Sequence, residues 1–167
     1  GQRVLLACLV KDRTKFAQVV PLIEEAARAE DLVDARAARR VELLDLTDQL
    51  KAVVSRLPVR EGIVNVCSMH TTCSVFISEA QTALVADIKR LLEQVVERDA
   101  DWMHNDPEHS DCDRFNADAH LRAMLLGHSL TLQISGGDLV LGQWQRAMLA
   151  ELDGPRARTL RVLVMGA

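Results

Sequence analysis

The segment from His104 to His120 contains most of the side chains in this chain that could take part in chemistry. It holds three of the five histidines and five acidic residues, with almost no apolar content. A polar stretch of this length within a compact domain is usually either functional or disordered. Asn116 is a favourable N-cap residue and Gly127 a favourable residue just after a helix, so a helix is predicted between them. Because the polar segment leads directly into this helix, a functional segment is favoured over a disordered one. The N-terminus of the helix also favours the binding of anions.

Three histidines are candidate metal ligands. His70 lies between two predicted strands, His104 lies in the polar segment, and His120 shares a helix face with Asn116, four residues earlier. Imidazole suits zinc better than magnesium, so a divalent metal is possible here, and zinc is favoured over magnesium. His109 is a further candidate. The spacing alone is a weak metal signal, and the alternative for His70 is a ring that hydrogen-bonds the backbone.

Two carboxylates are candidates for proton transfer. Glu79 follows the second of these strands, and Asp118 lies in the first turn of the predicted helix. Either could act as a general acid or base, or could hydrogen-bond a metal-bound histidine. The alternative for each is a solvated or capping carboxylate, and the helix dipole is reason enough for Asp118.

Two arginines follow a turn that the sequence places at residues 153–155. Guanidinium groups at Arg156 and Arg158, near a helix N-terminus, would make an oxyanion or phosphate pocket. The alternative is a pair of solvated turn arginines.

A glycine-containing stretch at residues 141–145 offers amide donors. If it is a strand, Gln143 and Gln145 lie on one pleat face and Trp144 on the other, so the amides face a pocket. The alternative is a glycine bulge with Trp144 as a core or interface anchor.

The elements that must position these residues predict an α+β fold. Strands and helices alternate in the first part, and hairpins dominate the last third, with a Gly136-Gly137 turn between two strands. This pattern predicts mixed or antiparallel β-sheets packed with a few helices in a single compact domain. Predicted strands lie at 41–46, 63–69, 73–77, 129–134, 138–142, 144–151 and 160–165, and helices begin near Thr47, Leu84 and Asn116.

Residues 1–36 are predicted to be an N-terminal extension, and residues 37–167 the main domain. The extension would contain a strand at 3–10 and a helix from Thr14 to about Ala29, and the charged, alanine-rich run Glu30–Arg40 looks like a connector.

The composition argues against several classes of function. The net charge is -4, aromatic residues make up 3%, and there is no long basic run, so no nucleic-acid partner is predicted. No membrane partner is predicted either, because neither an apolar span nor a signal peptide is visible. The four cysteines lack metal-site spacing and are expected to be reduced, which favours the cytoplasm. Glycine-rich phosphate loops, dinucleotide fingerprints and nucleophile elbows are missing.

From about residue 37 onward, the chain resembles the YjbQ-like family, often called secondary thiamine-phosphate synthases. The resemblance is carried by Leu46-Thr47, Gly62, His70-Thr71-Thr72, Glu79, His104, Asn116 to His120, Gly127, Leu141 to Gln145, Glu151 and Gly154-Pro155-Arg156. It implies a small α+β domain that assembles as a homotrimer, with a pocket around the family's histidines, which fall here on His70, His104 and His120.

The family label implies a transfer reaction that joins a pyrimidine diphosphate to a thiazole phosphate with loss of pyrophosphate. On this basis the expected catalytic residues are Glu79, Asp118 and Arg156, and the expected substrate-binding residues are Thr71, Asn116, Gln143, Gln145 and Arg156. Two hypotheses remain open. One is an enzyme that acts on a phosphorylated small molecule through a histidine-rich pocket, with or without a divalent metal. The other is a non-catalytic metal-binding or trimeric assembly module.

Overall fold

The computed structural model of the chain describes residues 27–167, which form an α+β fold as predicted. The predicted strand at 3–10 and most of the predicted helix from Thr14 lie outside the described residues. The strands are Ala27–Arg36 (β1), Glu42–Asp45 (β2), Gly62–Ser68 (β3), Cys73–Ser78 (β4), Ser129–Ser135 (β5), Asp138–Val140 (β6), Arg146–Glu151 (β7) and Ala157–Gly166 (β8). The helices are Thr47–Ser55 (α1), Thr82–Val95 (α2) and Ala117–Leu126 (α3), with a short 3-10 turn at Met103–Asn105.

The strands form two sheets. The large sheet has the order β1-β8-β3-β5-β6 and the small sheet the order β2-β7-β4, and the strand pairs within both are antiparallel. One face of the small sheet packs with α1 against the large sheet, around buried residues such as Leu50, Val66, Leu149 and Val162. The other face packs against α2 and α3, around Leu92, Ala119, Ala123, Ala150 and Leu152. The small sheet is therefore covered on both sides.

Strand alternation decides where the charged residues of β7 and β8 point. On β7, Ala147 and Leu149 face the large sheet, so Glu151 faces the same way at the strand's end. On β8, Leu160 and Val162 face inward, so Arg158 also faces inward near the strand's start. A two-residue period thus places opposite charges at one end of the main core.

The prediction of a connector over Glu30–Arg40 is wrong, because β1 occupies residues 27–36 and pairs with β8 along its whole length. Val33 and Ala35 are buried, whereas Asp34 and Arg36 are exposed. This alternation stabilises an edge strand despite the alanine-rich, helix-like composition, and charged residues are common on such edges. Residues 27–36 therefore extend the large sheet of the main domain, and a separate unit before them stays a prediction.

Neither Thr47, near which α1 was predicted to begin, nor the predicted N-cap Asn116 caps its helix with its side chain. The Thr47 hydroxyl accepts a hydrogen bond from the backbone amide of Ala147 at 3.0 Å, which ties α1 to β7. Asn116 occupies the N-cap position of α3, but its side chain makes no capping bond. The amide oxygen of Asn105 instead accepts from the first amide of α3, at Ala117. This bond attaches the polar segment to the helix that follows it.

A buried ion cluster fixes α3 in the fold. The fully buried Asp118 accepts two hydrogen bonds from the guanidinium of Arg40, at 2.8 and 3.0 Å, and lies 3.2 Å from that of Arg122. Arg122 is also buried and donates twice to the carbonyl of Val96. The buried carboxylate of Asp118 thus ties α3 to Arg40, which precedes β2, and Arg122 ties α3 to Val96, which follows α2.

We expect Asp118→Ala to lower the free energy of unfolding by about 3 kcal/mol or more, because it leaves the buried Arg122 without its charge partner. Urea denaturation measures this change. The exposed pair between Arg56 and Asp31 is the matched control, since Arg56→Ala should cost less than about 1 kcal/mol. Equal effects of the two variants would contradict a structural role for the buried cluster.

Candidate functional site

A cavity of about 340 Å³ lies at the end of the two sheets where β3 turns into β4, β8 begins and α3 begins. This volume is in the range of small-molecule sites. Among residues 27–167, its charged and imidazole wall residues are three arginines and three histidines, with no carboxylate: His70, His104, Arg114, His120, Arg156 and Arg158. The remaining wall residues are Met69, Thr71, Thr72, Cys112 and Asn116. His70, His104 and His120 therefore all lie in the wall of this cavity.

The base of the cavity is a buried ion pair between the two sheets. Glu151 at the end of β7 is fully buried and accepts two hydrogen bonds from the guanidinium of Arg158, one at 2.6 Å. The same guanidinium donates to the hydroxyl of Thr72 at 2.9 Å. Burial lowers the pKa of Arg158, but hydrogen bonding and charge from Glu151 outweigh it and the net pKa is raised. The charges of this pair cancel, and the pair acts as a rigid support.

A second buried carboxylate, Asp153, organises the cationic side of the cavity. One of its oxygens accepts from Nε of Arg114 and from the amide of Asn116, each at 3.0 Å, and lies 3.4 Å from Nη2 of Arg156. The two guanidinium groups are partly exposed, at 47% and 33%, while the carboxylate is 7% exposed. One negative charge shared by two arginines leaves an excess positive charge and N–H donors available to an anion.

Gly154 makes this arrangement possible. A Cβ at this position would meet the carbonyl oxygen of Arg39 and would lie 2.9 Å from Cγ of Glu151. The backbone N–H of Gly154 donates to the carbonyl of Arg40 at 2.9 Å, so the turn packs tightly on the segment after β1. A glycine allows this close approach, and the turn then directs Arg156 toward the cavity.

The three histidines of the wall have different surroundings. Nε2 of His70 accepts a hydrogen bond from the backbone amide of Thr159 at 3.1 Å. The rings of His104 and His120 meet edge to face, with centroids 5.0 Å apart. Burial first, and then the charge of Arg158, lowers the pKa of His70. Burial first, and then His104, lowers the pKa of His120. Both rings are therefore predominantly neutral at pH 7.

The predicted metal site does not fit this geometry well. Among residues 27–167, no group of three or more His, Cys, Asp or Glu side chains is arranged to hold a metal ion. Nε2 of His70 is already occupied by a backbone amide, and His109 is exposed and bonded to Asp106 at 2.8 Å instead of lining the cavity. A metal on His70, His104 and His120 stays a prediction.

Asp118 and Glu79 do not line the cavity. Asp118 is occupied by the two arginines of the buried cluster, which suits a structural role better than proton transfer. Glu79 follows the far end of β4, six residues beyond Cys73, or about 20 Å along the strand. In a single chain, the strand itself separates Glu79 from the histidines.

The predicted strands at 138–142 and 144–151 are shorter in the structure: β6 ends at Val140, β7 begins at Arg146, and a turn lies between them. The backbone N–H of Gln145 donates to the carbonyl of Gly142 at 3.0 Å, and the Gln145 side chain accepts from the amide of Gly142 at 2.8 Å. Gln143 and Trp144 are exposed. The sequence resembled a strand because apolar residues flank it, but a side chain bonded to its own backbone closes a turn. These residues lie at the same far end as Glu79, since Arg146 pairs with Ser78.

Arg114 and Asp153 are organising residues of the site that were not predicted from the sequence. Arg114 lies two residues before Asn116 in the polar segment, and Asp153 was read only as part of a turn. Their charge was the one signal in the sequence. Asp153 is a single acidic residue in an arginine-containing turn, and Arg114 is a single arginine in an acidic loop. Only the fold shows that these two segments meet.

One large apolar side chain lies in the cavity wall, and another lies between two wall residues in the sequence. Met69 is in its wall and 61% exposed, while Phe115, between Arg114 and Asn116, is 51% exposed. Phe115 has a φ of 50°, a left-handed conformation that is unfavourable for an aromatic residue. Such strain is concentrated at ligand sites, where the surrounding structure maintains it. The surface around the cavity could therefore contact the organic part of a ligand as well as its charge.

We expect the protein to lose stability as the pH falls below about 6.5, the usual pKa of histidine in an unfolded chain. The folded state binds protons at His70 and His120 more weakly than the unfolded state, so protonation favours unfolding between that pH and the lowered pKa values. Urea denaturation in phosphate-free buffer at pH 7.5 and 5.0 measures this. His120→Asn, which removes one of these two rings, should flatten the pH dependence of the free energy of unfolding. If the free energy of unfolding of His120→Asn depends on pH as strongly as that of the wild type, His120 does not contribute to this loss of stability.

Comparison with known proteins agrees with the resemblance seen in the sequence. Residues 32–167 match the family model described as UPF0047 protein YjbQ-like. A UPF0047 protein of Methanothermobacter thermautotrophicus is 45% identical over 131 residues, which cover 78% of this chain and 87% of that protein. YugU of Bacillus subtilis is 29% identical over 132 residues, 78% of this chain and 95% of that protein.

Solved structures show the same fold. A YbjQ-like protein of unknown function from Sulfolobus solfataricus superposes with a TM-score of 0.79 at 32% identity, over 86% of this chain and 100% of that chain. A hypothetical protein from Aeropyrum pernix gives a TM-score of 0.76 at 32% identity, over 83% and 99%. The family match, the identity to curated relatives and the shared fold cover the same region, and the chain belongs to the UPF0047 family of YjbQ-like proteins.

Proposed function

We propose that the cavity binds the phosphate or pyrophosphate group of a small organic molecule and that the protein acts on this molecule. The observation that carries the proposal is the sharing of Asp153 by Arg114 and Arg156, which leaves the cavity with excess positive charge. Guanidinium groups recognise phosphate oxygens through paired N–H donors. Since carboxylates are missing from the wall formed by the described residues, an anion entering the cavity meets no like charge there.

The candidate reaction is the transfer suggested by the family label, a secondary thiamine-phosphate synthase activity. In this reaction a thiazole nitrogen forms a bond to the methylene carbon of a pyrimidine diphosphate. The carbon–oxygen bond to pyrophosphate breaks, and pyrophosphate leaves with the electron pair. Arg114 and Arg156 would stabilise the negative charge that develops on the leaving group. Thr71 on the cavity wall would add a hydroxyl donor, and Asn116 would contribute indirectly by holding Asp153.

His120 would supply acid–base chemistry in the same cavity. Its lowered pKa leaves the ring neutral near pH 7 and able to accept a proton. His104 lies against it and would take part in holding the ring. The transfer written above moves no proton, so this acid–base role of His120 belongs to an alternative reaction, in which a phosphorylated substrate gains or loses a proton.

The proposal predicts that Arg114→Gln and Arg156→Gln each weaken pyrophosphate binding about tenfold or more, because each removes a charge-assisted hydrogen bond. Isothermal titration calorimetry at constant ionic strength measures the affinity. Arg56→Gln is the matched control, since Arg56 is exposed, pairs with Asp31 and does not belong to the cavity wall formed by residues 27–167. Equal weakening in all three variants would show only loss of general positive charge and would contradict a specific site.

A second candidate function, an assembly module, is favoured by an apolar stripe on α2. Leu84, Ile88, Leu91 and Val95 follow each other at spacings of four, three and four residues and share one helix face. Leu91 is 56% and Val95 59% exposed, whereas Ile88 is partly buried against the core around Leu92, the helix's buried residue. A large exposed apolar stripe on a helix is typical of a protein–protein contact. We infer that further copies of the chain, in the homotrimer that the family resemblance implies, cover this stripe.

Assembly would also give Glu79, Gln143 and Gln145 a way to reach a cavity. They lie together at the far end of the small sheet, about 20 Å from the histidines of their own chain. In a closed ring of copies, the far end of one small sheet can meet the cavity of the next. Their proposed catalytic and substrate-binding roles therefore depend on assembly.

Leu91→Asp should reduce the molar mass of the assembly, because it places a charge in the apolar stripe. Size-exclusion chromatography with light scattering measures the mass. Ala86→Asp adds the same charge to an exposed position on the other face of α2 and should leave the mass unchanged. A monomeric wild-type protein, or a trimer that tolerates Leu91→Asp, would contradict this interface.

A further inference from the structure

At the edge of the cavity, where β3 has ended, the ring of His70 takes the place of a β3 residue as a hydrogen-bond partner of β8. Strand β3 ends at Ser68, which pairs with Leu160 of β8. The next residue of β8, Thr159, has no β3 partner in this register, and its backbone amide donates to Nε2 of His70 at 3.1 Å. The imidazole thus satisfies a main-chain donor at the position where the sheet opens.

This bond determines where the proton of the ring lies. An amide N–H can donate only to a nitrogen with a free lone pair, so Nε2 of His70 carries no hydrogen. A neutral imidazole has one ring hydrogen, which must then be on Nδ1. A doubly protonated ring would set two N–H groups against each other. The Arg158 guanidinium and burial both disfavour that charged form, and only Glu151 opposes them.

The second ring nitrogen of His70 has no hydrogen-bond partner among residues 27–167. The ring itself belongs to the wall of the cavity, together with Arg156 and Arg158. We infer that the Thr159 amide fixes His70 as the neutral Nδ1–H tautomer, so that His70 offers a single N–H donor to a phosphate oxygen of the bound molecule. The identity of the acceptor rests on the proposed function, whereas the tautomer does not.

This assignment separates His70 from the other two histidines of the wall. A ring whose Nε2 is held by the backbone and whose Nδ1 carries a proton has no lone pair left for a metal ion or for accepting a proton. His70 is therefore a donor that positions the anion, and the base of the site must be another group, such as His120. The phosphate would be held by two partly exposed guanidinium groups and one neutral N–H.

The first test reads the tautomer directly. Two-bond proton–nitrogen correlation spectra of the full chain, labelled with nitrogen-15 in its histidines, distinguish a protonated ring nitrogen from a bare one. The spectrum of His70→Asn assigns the His70 signals by their disappearance. At pH 7.5, without ligand, we expect a protonated Nδ1 and a bare Nε2. A protonated Nε2, or averaging between the two tautomers, would overturn the inference.

The second test uses side chains that match one ring nitrogen each. The asparagine amide can occupy the position of Nδ1, whereas the longer glutamine amide reaches that of Nε2. With inorganic pyrophosphate as the probe, His70→Asn should bind within about threefold of wild type, and His70→Gln and His70→Ala about tenfold or more weakly. Circular dichroism and urea denaturation confirm that each variant is folded.

The outcomes separate this inference from the proposed function. Retained affinity in His70→Gln with loss in His70→Asn would overturn the Nδ1 donor, as would equal affinity in all variants. If the wild type binds no pyrophosphate, the proposed function and the phosphate acceptor both fail, and the spectra alone decide the tautomer.

Discussion

Two buried carboxylates, Glu151 and Asp153, fix the guanidinium groups on which the rest of the site depends. Glu151 closes one end of the core by pairing with Arg158 between the two sheets. The backbone N–H of Asp153 donates to the same carboxylate at 2.7 Å, so the second acid is positioned by the first. Removal of either partner from a buried ion pair leaves an uncompensated charge, which is costly. Arg158 is therefore held by a buried pair, and Asp153 brings Arg114 and Arg156 to the same side of the cavity.

The balance of these charges distinguishes support from recognition. Arg158 is matched one to one and buried, so it serves the fold and the cavity base. Arg114 and Arg156 share one carboxylate and are partly exposed, so they retain donors for an anion. A preorganised site of this kind needs little rearrangement on binding, which favours both affinity and stabilisation of developing negative charge. The small sheet, covered on both faces, gives this arrangement a rigid base.

Much of the fold and part of the site could be predicted from the sequence. The Gly136-Gly137 turn, the helical spacing from Leu84 to Val95 and the stop at Gly127 are local signals, and the structure confirms them. His70, His104 and His120 could be identified as candidates, because a histidine between two strands, one in a polar segment and one on a helix are local features of the sequence.

The predictions that were wrong concern residues whose structure depends on contacts between distant parts of the chain. The composition of β1 is helix-like, and only pairing with β8 makes it a strand. Asp118 resembled a proton-transfer group, but its partner Arg40 is distant in sequence, and long-range ion pairs leave no local pattern. The bonds between Arg114 and Asp153, and between Thr159 and His70, also join distant segments, so the roles of these residues become visible only in the folded chain.

The most direct test of the central claim is a crystal structure of the protein grown with inorganic pyrophosphate. We expect the anion in the cavity, with its oxygens within hydrogen-bond distance of the guanidinium groups of Arg114 and Arg156. An anion bound elsewhere, or a cavity that stays free of pyrophosphate at concentrations that saturate the protein in solution, would contradict the account.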